Sequence, residues 1–190
     1  MSPDNRSALL SHALRLFAAR GFDAVGVQEI VEAAGVTKPT LYHYFGSKCG
    51  LLEAVLREHF EALIGAVENA ADYHGDITLT LRAVVKAYFD FARENGTFYR
   101  FQLALAFAPL ESDGFQAVLQ YHERQFALLE QLFVLAAVDH GNMRGRHRRY
   151  AVTLLGLINS MITLWLHGHV ILDEALVYNA THQFMHGIFS

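Results

Sequence analysis

The sequence predicts an all-α protein of about nine helices, and three observations carry that reading. Apolar residues recur at helical spacing along most of the chain. No stretch alternates apolar and polar residues over several positions, as a half-buried strand would. Gly, Pro and capping Asp, Ser or Thr punctuate the periodic runs. Composition agrees: 53% of the 190 residues are apolar and 18% charged, which excludes a disordered chain and allows a sizeable core.

Leu9, Leu10, Ala13, Leu14, Phe17 and Ala18 mark one face of a first helix over residues 7–20, ended by Gly21. A second helix spans 27–34 and stops at Gly35, where a sharp turn suits a left-handed backbone. Thr37 caps a third helix, and Pro39 is tolerated because a first turn has no partner for its N–H. After a break at Gly46, Ser47 opens a fourth helix running to about Asn69. Further helices are expected near 77–94, 97–107, 112–138, 146–167 and 174–187. Three short helices followed by six mostly longer ones divide the chain into an N-terminal three-helix unit (1–48) and a C-terminal helical bundle (49–190).

Net charge is −4, with 19 acidic and 15 basic residues, so any affinity for nucleic acid must be local. The local signal lies between Glu32 and Glu53, a run without a carboxylate. Across residues 27–45, which overlap this run, Ile30, Val31, Ala34, Leu41 and Phe45 fall on inward positions of two short helices joined through Gly35 and Val36. That is the spacing of a helix-turn-helix, whose second helix enters the major groove. Thr37, Lys38, Thr40, Tyr42 and His43 then face outward, with Tyr44 at the edge. All can donate to phosphate oxygens or base edges, and a carboxylate among them would repel the DNA backbone. The plain alternative is a polar helix face whose acids are missing by chance.

The stretch "LLSHALRLFAARGFDAVGVQEIVEAAGVTKPTLYHYFGSKCGLLEAVL" resembles the N-terminal domain of the tetracycline-repressor (TetR) family of bacterial transcription regulators. The resemblance implies a DNA-facing surface of Thr37, Lys38, Pro39, Thr40, Tyr42, His43 and Tyr44, with Gly26 and Val27 at the start of the second helix. It also implies that Lys48 holds a phosphate. Members often carry Thr and then Ser or Thr where this chain has Val25 and Gly26, so one capping hydroxyl and its phosphate contact are expected to be lost. Cys49 replaces a residue that is commonly charged or polar. A thiol there, at a helix start beside Lys48, could have a lowered pKa and sense oxidants, but the reading favoured is a tolerated surface substitution.

The C-terminal region is rich in aromatic residues, most of them core by the usual odds. Tyr88, Phe101, Gln102, Leu105, His122 and Asn159 are the candidates for contact with a small hydrophobic or aromatic effector, since amides in apolar helices must be paired. The run Tyr150–Leu166 is apolar nearly all round but short and interrupted for a membrane span. A homodimer interface is expected there and on the last helix, through Leu155, Ile158, Ile162, Trp165, His182 and Met185. His182 and His186 sit four apart, with His167 and His169 upstream, yet no acid or thiol completes a set of ligands, so no metal and no cofactor is expected. The cluster "RGRHRR" (144–149) reads as a solvated or ion-paired face.

One cysteine excludes an internal disulfide, and the start lacks a secretory pattern, so a cytoplasmic, membrane-free protein is expected. No phosphate loop, nucleophile motif or helical Glu-x-x-His pair points to an enzyme. The function these readings favour is a ligand-responsive regulator that represses from a palindromic double-stranded DNA operator as a homodimer. The alternative is an all-helical small-molecule-binding or enzyme domain that keeps the helix-turn-helix as scaffold.

Overall fold

The computed structural model describes residues 5–187. Among them lie nine α-helices, one short 3₁₀ turn and no strand. The helices are α1 (Asn5–Arg20), α2 (Val27–Ala34), α3 (Lys38–Phe45), α4 (Lys48–Ala70), α5 (Ile77–Glu94), α6 (Gly96–Ala106), α7 (Asp113–Ala136), α8 (His147–Leu166) and α9 (Glu174–His186). Their ends fall where local chemistry puts them. Asp76 accepts from Leu79 N at 3.0 Å to open α5, and Asp173 accepts from Leu176 N at 2.8 Å to open α9.

By packing, the chain forms two compact units. The first comprises the residues up to Glu61 together with Thr97–Gln120; the second comprises Ala62–Gly96 and the residues from Tyr121 on. In the first, α1 packs on α2 and α3. Its core holds Leu9, Ala13, Phe17, Ile30, Leu41 and Leu51, all essentially inaccessible to water. Phe17 meets Phe22 edge-on at 5.2 Å and stacks on Phe101 at 5.8 Å, so burial is supplemented by favourable ring geometry.

In the second unit α5 packs against α8 and α9. The single described helix long and apolar enough to cross a membrane is α8, a test that a core helix also passes. Its buried residues, Ala151, Leu154, Leu155, Ile158 and Ile162, follow the 3.6-residue period on one face. The opposite side carries Val152, Thr153, Gly156, Ser160 and Leu164 in water. Burial is thus one-sided, where composition alone suggested cover all round.

Candidate nucleic-acid interface

The turn between α2 and α3 is built by one glycine and one threonine. Gly35 adopts φ 67° and ψ 30°, the left-handed region that a side chain disfavours. Its N–H donates to Glu32 O at 3.2 Å, and Val36 N donates to Val31 O at 2.9 Å, which satisfies carbonyls at the end of α2. Thr37 then adopts an extended backbone and caps α3, its Oγ1 accepting from Thr40 N at 3.4 Å. The two threonine hydroxyls lie 2.9 Å apart. Pro39 occupies the first turn, where its missing N–H costs nothing.

Leu41 anchors this helix with no exposed surface, and Phe45 is half-buried beneath the Arg6 guanidinium, 5.9 Å from its ring. Everything else turns outward. Thr37, Lys38, Pro39, Tyr42, His43 and Tyr44 are exposed, and Thr40 is half-buried. Tyr42 and Tyr44 leave 47% and 43% of their surface in water, although burying either ring would be favourable. His43 lies edge-on to Tyr44 at 5.3 Å. A helix N-terminus, a lysine and three ring-borne polar groups therefore share one acid-free face, which suits an anionic partner.

At the start of α2, Gly26 is exposed and extended, and its N–H donates to Glu29 Oε1 at 3.1 Å. Val27 is half-buried beside it. The Gly26 N–H, and after it Arg20, hold the Glu29 carboxyl below its usual range. Arg20 is ion-paired to the same carboxylate, so this acid is already matched by a cation.

Lys48 is placed differently from a freely projecting phosphate anchor. Its Nζ donates to Phe22 O at 3.0 Å and Val25 O at 3.1 Å and lies 4.2 Å from the centre of the Phe22 ring. Two of its three N–H groups thus hold the turn between α1 and α2. Cys49 does not have the lowered pKa of an oxidant sensor: burial, then the hydrogen bond from Sγ to Asp113 Oδ2 at 3.3 Å, push the thiol up. A carboxylate acceptor favours the protonated thiol over the reactive thiolate.

The residue that sequence reasoning missed is Gly50. A Cβ there would lie 2.0 Å from the Phe45 carbonyl oxygen, so the first turn of α4 approaches the last residue of α3 more closely than any side chain permits. A glycine inside a helical run was its only signal.

The six effector candidates divide between the units. Phe101, Gln102 and Leu105 are buried in the first, where Phe101 belongs to the Phe17 stack and Leu105 packs against Gly114. Tyr88, His122 and Asn159 lie in the second. Tyr88 is fully buried and donates to Gln125 Oε1 at 3.1 Å, and burial raises its hydroxyl pKa. Burial lowers the pKa of His122. Of the interface candidates, Leu155, Ile158 and Ile162 point into their own unit, and this corrects the expectation that they reach a partner. The reason is the one-sided stripe of α8. Trp165 is half-buried against Gly96, whereas His182 and Met185 are exposed on α9.

Comparison with known proteins fits this geometry. Residues 9–55 match the family model described as bacterial regulatory proteins, tetR family. Over 186 residues the chain is 33% identical to the HTH-type transcriptional activator FasR of Mycolicibacterium smegmatis, a match covering 97% of this chain and 82% of that protein. The chain belongs to the TetR family of transcriptional regulators. Its DNA-binding, regulatory function is that of TetR proteins, not of an enzyme. Over a shorter region, the KstR2 repressor of Rhodococcus jostii is 35% identical across 85 residues, 45% of this chain and 42% of that protein. The TetR fold recurs in the solved structure of the regulator FadR from Bacillus subtilis in complex with stearoyl-CoA. That structure superposes with a TM-score of 0.80 at 20% identity, covering 96% of this chain and 98% of that one.

Proposed function

We propose that this regulator binds a near-palindromic operator as a homodimer, with α3 of each copy in the major groove, and that a small hydrophobic effector alters its operator affinity. The observation that carries this reading is the exposed, acid-free donor face of α3 around a fully buried Leu41. Thr37, Lys38, Thr40, Tyr42, His43 and Tyr44 contact phosphates or base edges there. Gly26 and Val27 flank the backbone at the start of α2, and Pro39 shapes the first turn. In functional terms residues 1–48 bind DNA and 49–190 carry effector binding and dimerisation, in the cytoplasm where the operator lies. The dimer is supported by the exposed apolar residues of α8 and α9.

Repression follows if the bound dimer occludes a promoter. The activator name of the relative that matches 97% of this chain favours activation as a second reading. Stearoyl-CoA bound to a protein of the same fold makes fatty acyl thioesters the first effectors to try.

The test is selection of genomic fragments on the purified protein, then fluorescence anisotropy with and without stearoyl-CoA. Tyr42→Ala should weaken operator binding by about 1–3 kcal/mol, roughly five- to 150-fold, while the melting curve stays unchanged. Equal affinity of mutant and wild type would remove α3 from the interface. Acyl-CoA binding that leaves operator affinity constant would remove it as an effector.

A further inference from the structure

The second unit contains a cavity of about 320 Å³ that none of the six effector candidates lines. Three rings form its wall: Phe133 stands 5.5 Å from Tyr150 and 6.0 Å from Phe184, and Tyr150 stands 6.4 Å from Phe184. Met143 and Met185 complete the lining with flexible, polarisable side chains that adapt to a guest. The volume is that of roughly ten waters and lies within the range of small-molecule sites.

Its polar side is unfinished. His140 lines the cavity, and its Nε2 is buried without a hydrogen-bond partner among the described residues. A buried polar atom left unpaired is costly, so this nitrogen calls for a partner from outside the chain. Thr78 lines the same cavity, and a threonine hydroxyl can act as a second donor. Between the lining residues Met143 and Tyr150 the chain carries Arg144, Arg146, Arg148 and Arg149. Arg148 is matched by Glu123 and Glu130, whereas Arg144 and Arg146 stand exposed. The neighbouring Asp139 carboxylate is engaged by the Tyr73 hydroxyl at 2.9 Å. The basic segment thus adds a positive field beside an apolar, ring-lined hole, which favours an anion with an apolar body.

We infer that this cavity is a binding site for a small monocarboxylic acid, its chain or ring against Phe133, Tyr150 and Phe184 and its carboxylate accepting from His140 Nε2–H and Thr78. The site stands independently of the operator and effector reading above, because it is assayed without DNA.

The experiment titrates decanoate into the full chain by calorimetry, with decanol as the uncharged control of equal length. Saturable binding of one decanoate per chain is expected, with decanol at least tenfold weaker. His140→Leu removes the orphaned nitrogen, so it should leave the thermal midpoint unchanged or raised while weakening decanoate at least tenfold. A merely structural histidine would instead lower the midpoint. Met185→Trp fills the cavity from its half-open side and should abolish binding with helical content retained. Decanoate affinity unchanged in both variants, equal binding of decanol, or no saturable binding by the wild type would each overturn the assignment.

Discussion

Lys48 and Glu29 show how a single side chain can serve a surface by holding a turn beneath it. The Lys48 ammonium bonds two carbonyls of the α1–α2 turn, so Lys48→Ala leaves both oxygens short of a donor. The expected outcome is a loss of about 1–3 kcal/mol in urea unfolding, in addition to weaker DNA binding. A lysine acting on phosphate alone would leave the unfolding midpoint in place and lower only the salt slope, by about 0.9. Glu29 yields a prediction in pH. Its carboxyl lies below the ordinary value of 4.5 in the folded state, because the Gly26 N–H and Arg20 favour the ionised form. A depressed acid stabilises the fold above its unfolded pKa and loses that contribution as pH falls through the folded value. Wild type should therefore melt above Glu29→Gln at pH 6 and 7, with the gap closing as pH falls through the lowered folded value. A gap independent of pH would mean that neither the Gly26 N–H nor Arg20 favours the ionised carboxylate in the fold.

At the scale of helices, the sequence is a good guide wherever the determinant is local. Gly35, Thr37, Asp76 and Asp173 act on backbone groups within four residues, so the ends of α2, α3, α5 and α9 were readable from residue type and position. The inward set of α3 was readable for the same reason, since two residues at helical spacing, Leu41 and Phe45, define its buried side. What stayed hidden depends on distant partners. The buried side of α8 is decided by α5 and α9, and a run apolar on every side does not announce it. The partner carbonyls of Lys48 lie 23 and 26 residues away. The thiol of Cys49 is pushed up first by burial and then by Asp113, which lies 64 residues away. Gly50 belongs to the same class. Gly50→Ala places a methyl on the Phe45 carbonyl oxygen, so it should displace the start of α4 from the end of α3. It should lower stability by more than the roughly 1 kcal/mol that a Gly-to-Ala change normally gains inside a helix. Gly26→Ser runs the other way, because the backbone there is already extended and a Cβ meets only Glu29 Oε1 at 3.6 Å. A few tenths of a kcal/mol in stability and tighter DNA binding are expected, the hydroxyl supplying the cap and phosphate contact that glycine lacks.

For the whole molecule, the proposed dimer must rest on what α8 and α9 leave uncovered. Ile162→Glu would not test it, since Ile162 has no exposed surface and an unpaired buried charge costs about 3–5 kcal/mol of folding stability. Val152, Leu164, Tyr178 and Met185 keep between 37% and 49% of their surface exposed, and α8 packs against α9 in the same unit. Gly156 lies within the exposed stripe of α8. A Cβ there would meet nothing within 4 Å, so the chain's own packing does not require glycine at this point. Glycine in a helix interior costs about 1 kcal/mol relative to alanine, and a close approach by a second helix is a physical reason to bear that cost. Gly156→Leu should therefore keep full helical content and a thermal midpoint no lower than that of the wild-type monomer, yet raise the dissociation constant at least tenfold in sedimentation equilibrium. Leu164→Glu should do the same through charge rather than bulk. Operator affinity should fall with association in both, because each half-site then binds one α3 without its twofold mate. Dimers of undiminished strength in both variants would move the interface off α8, and a folded wild-type monomer at micromolar concentration would end the proposal of a dimer.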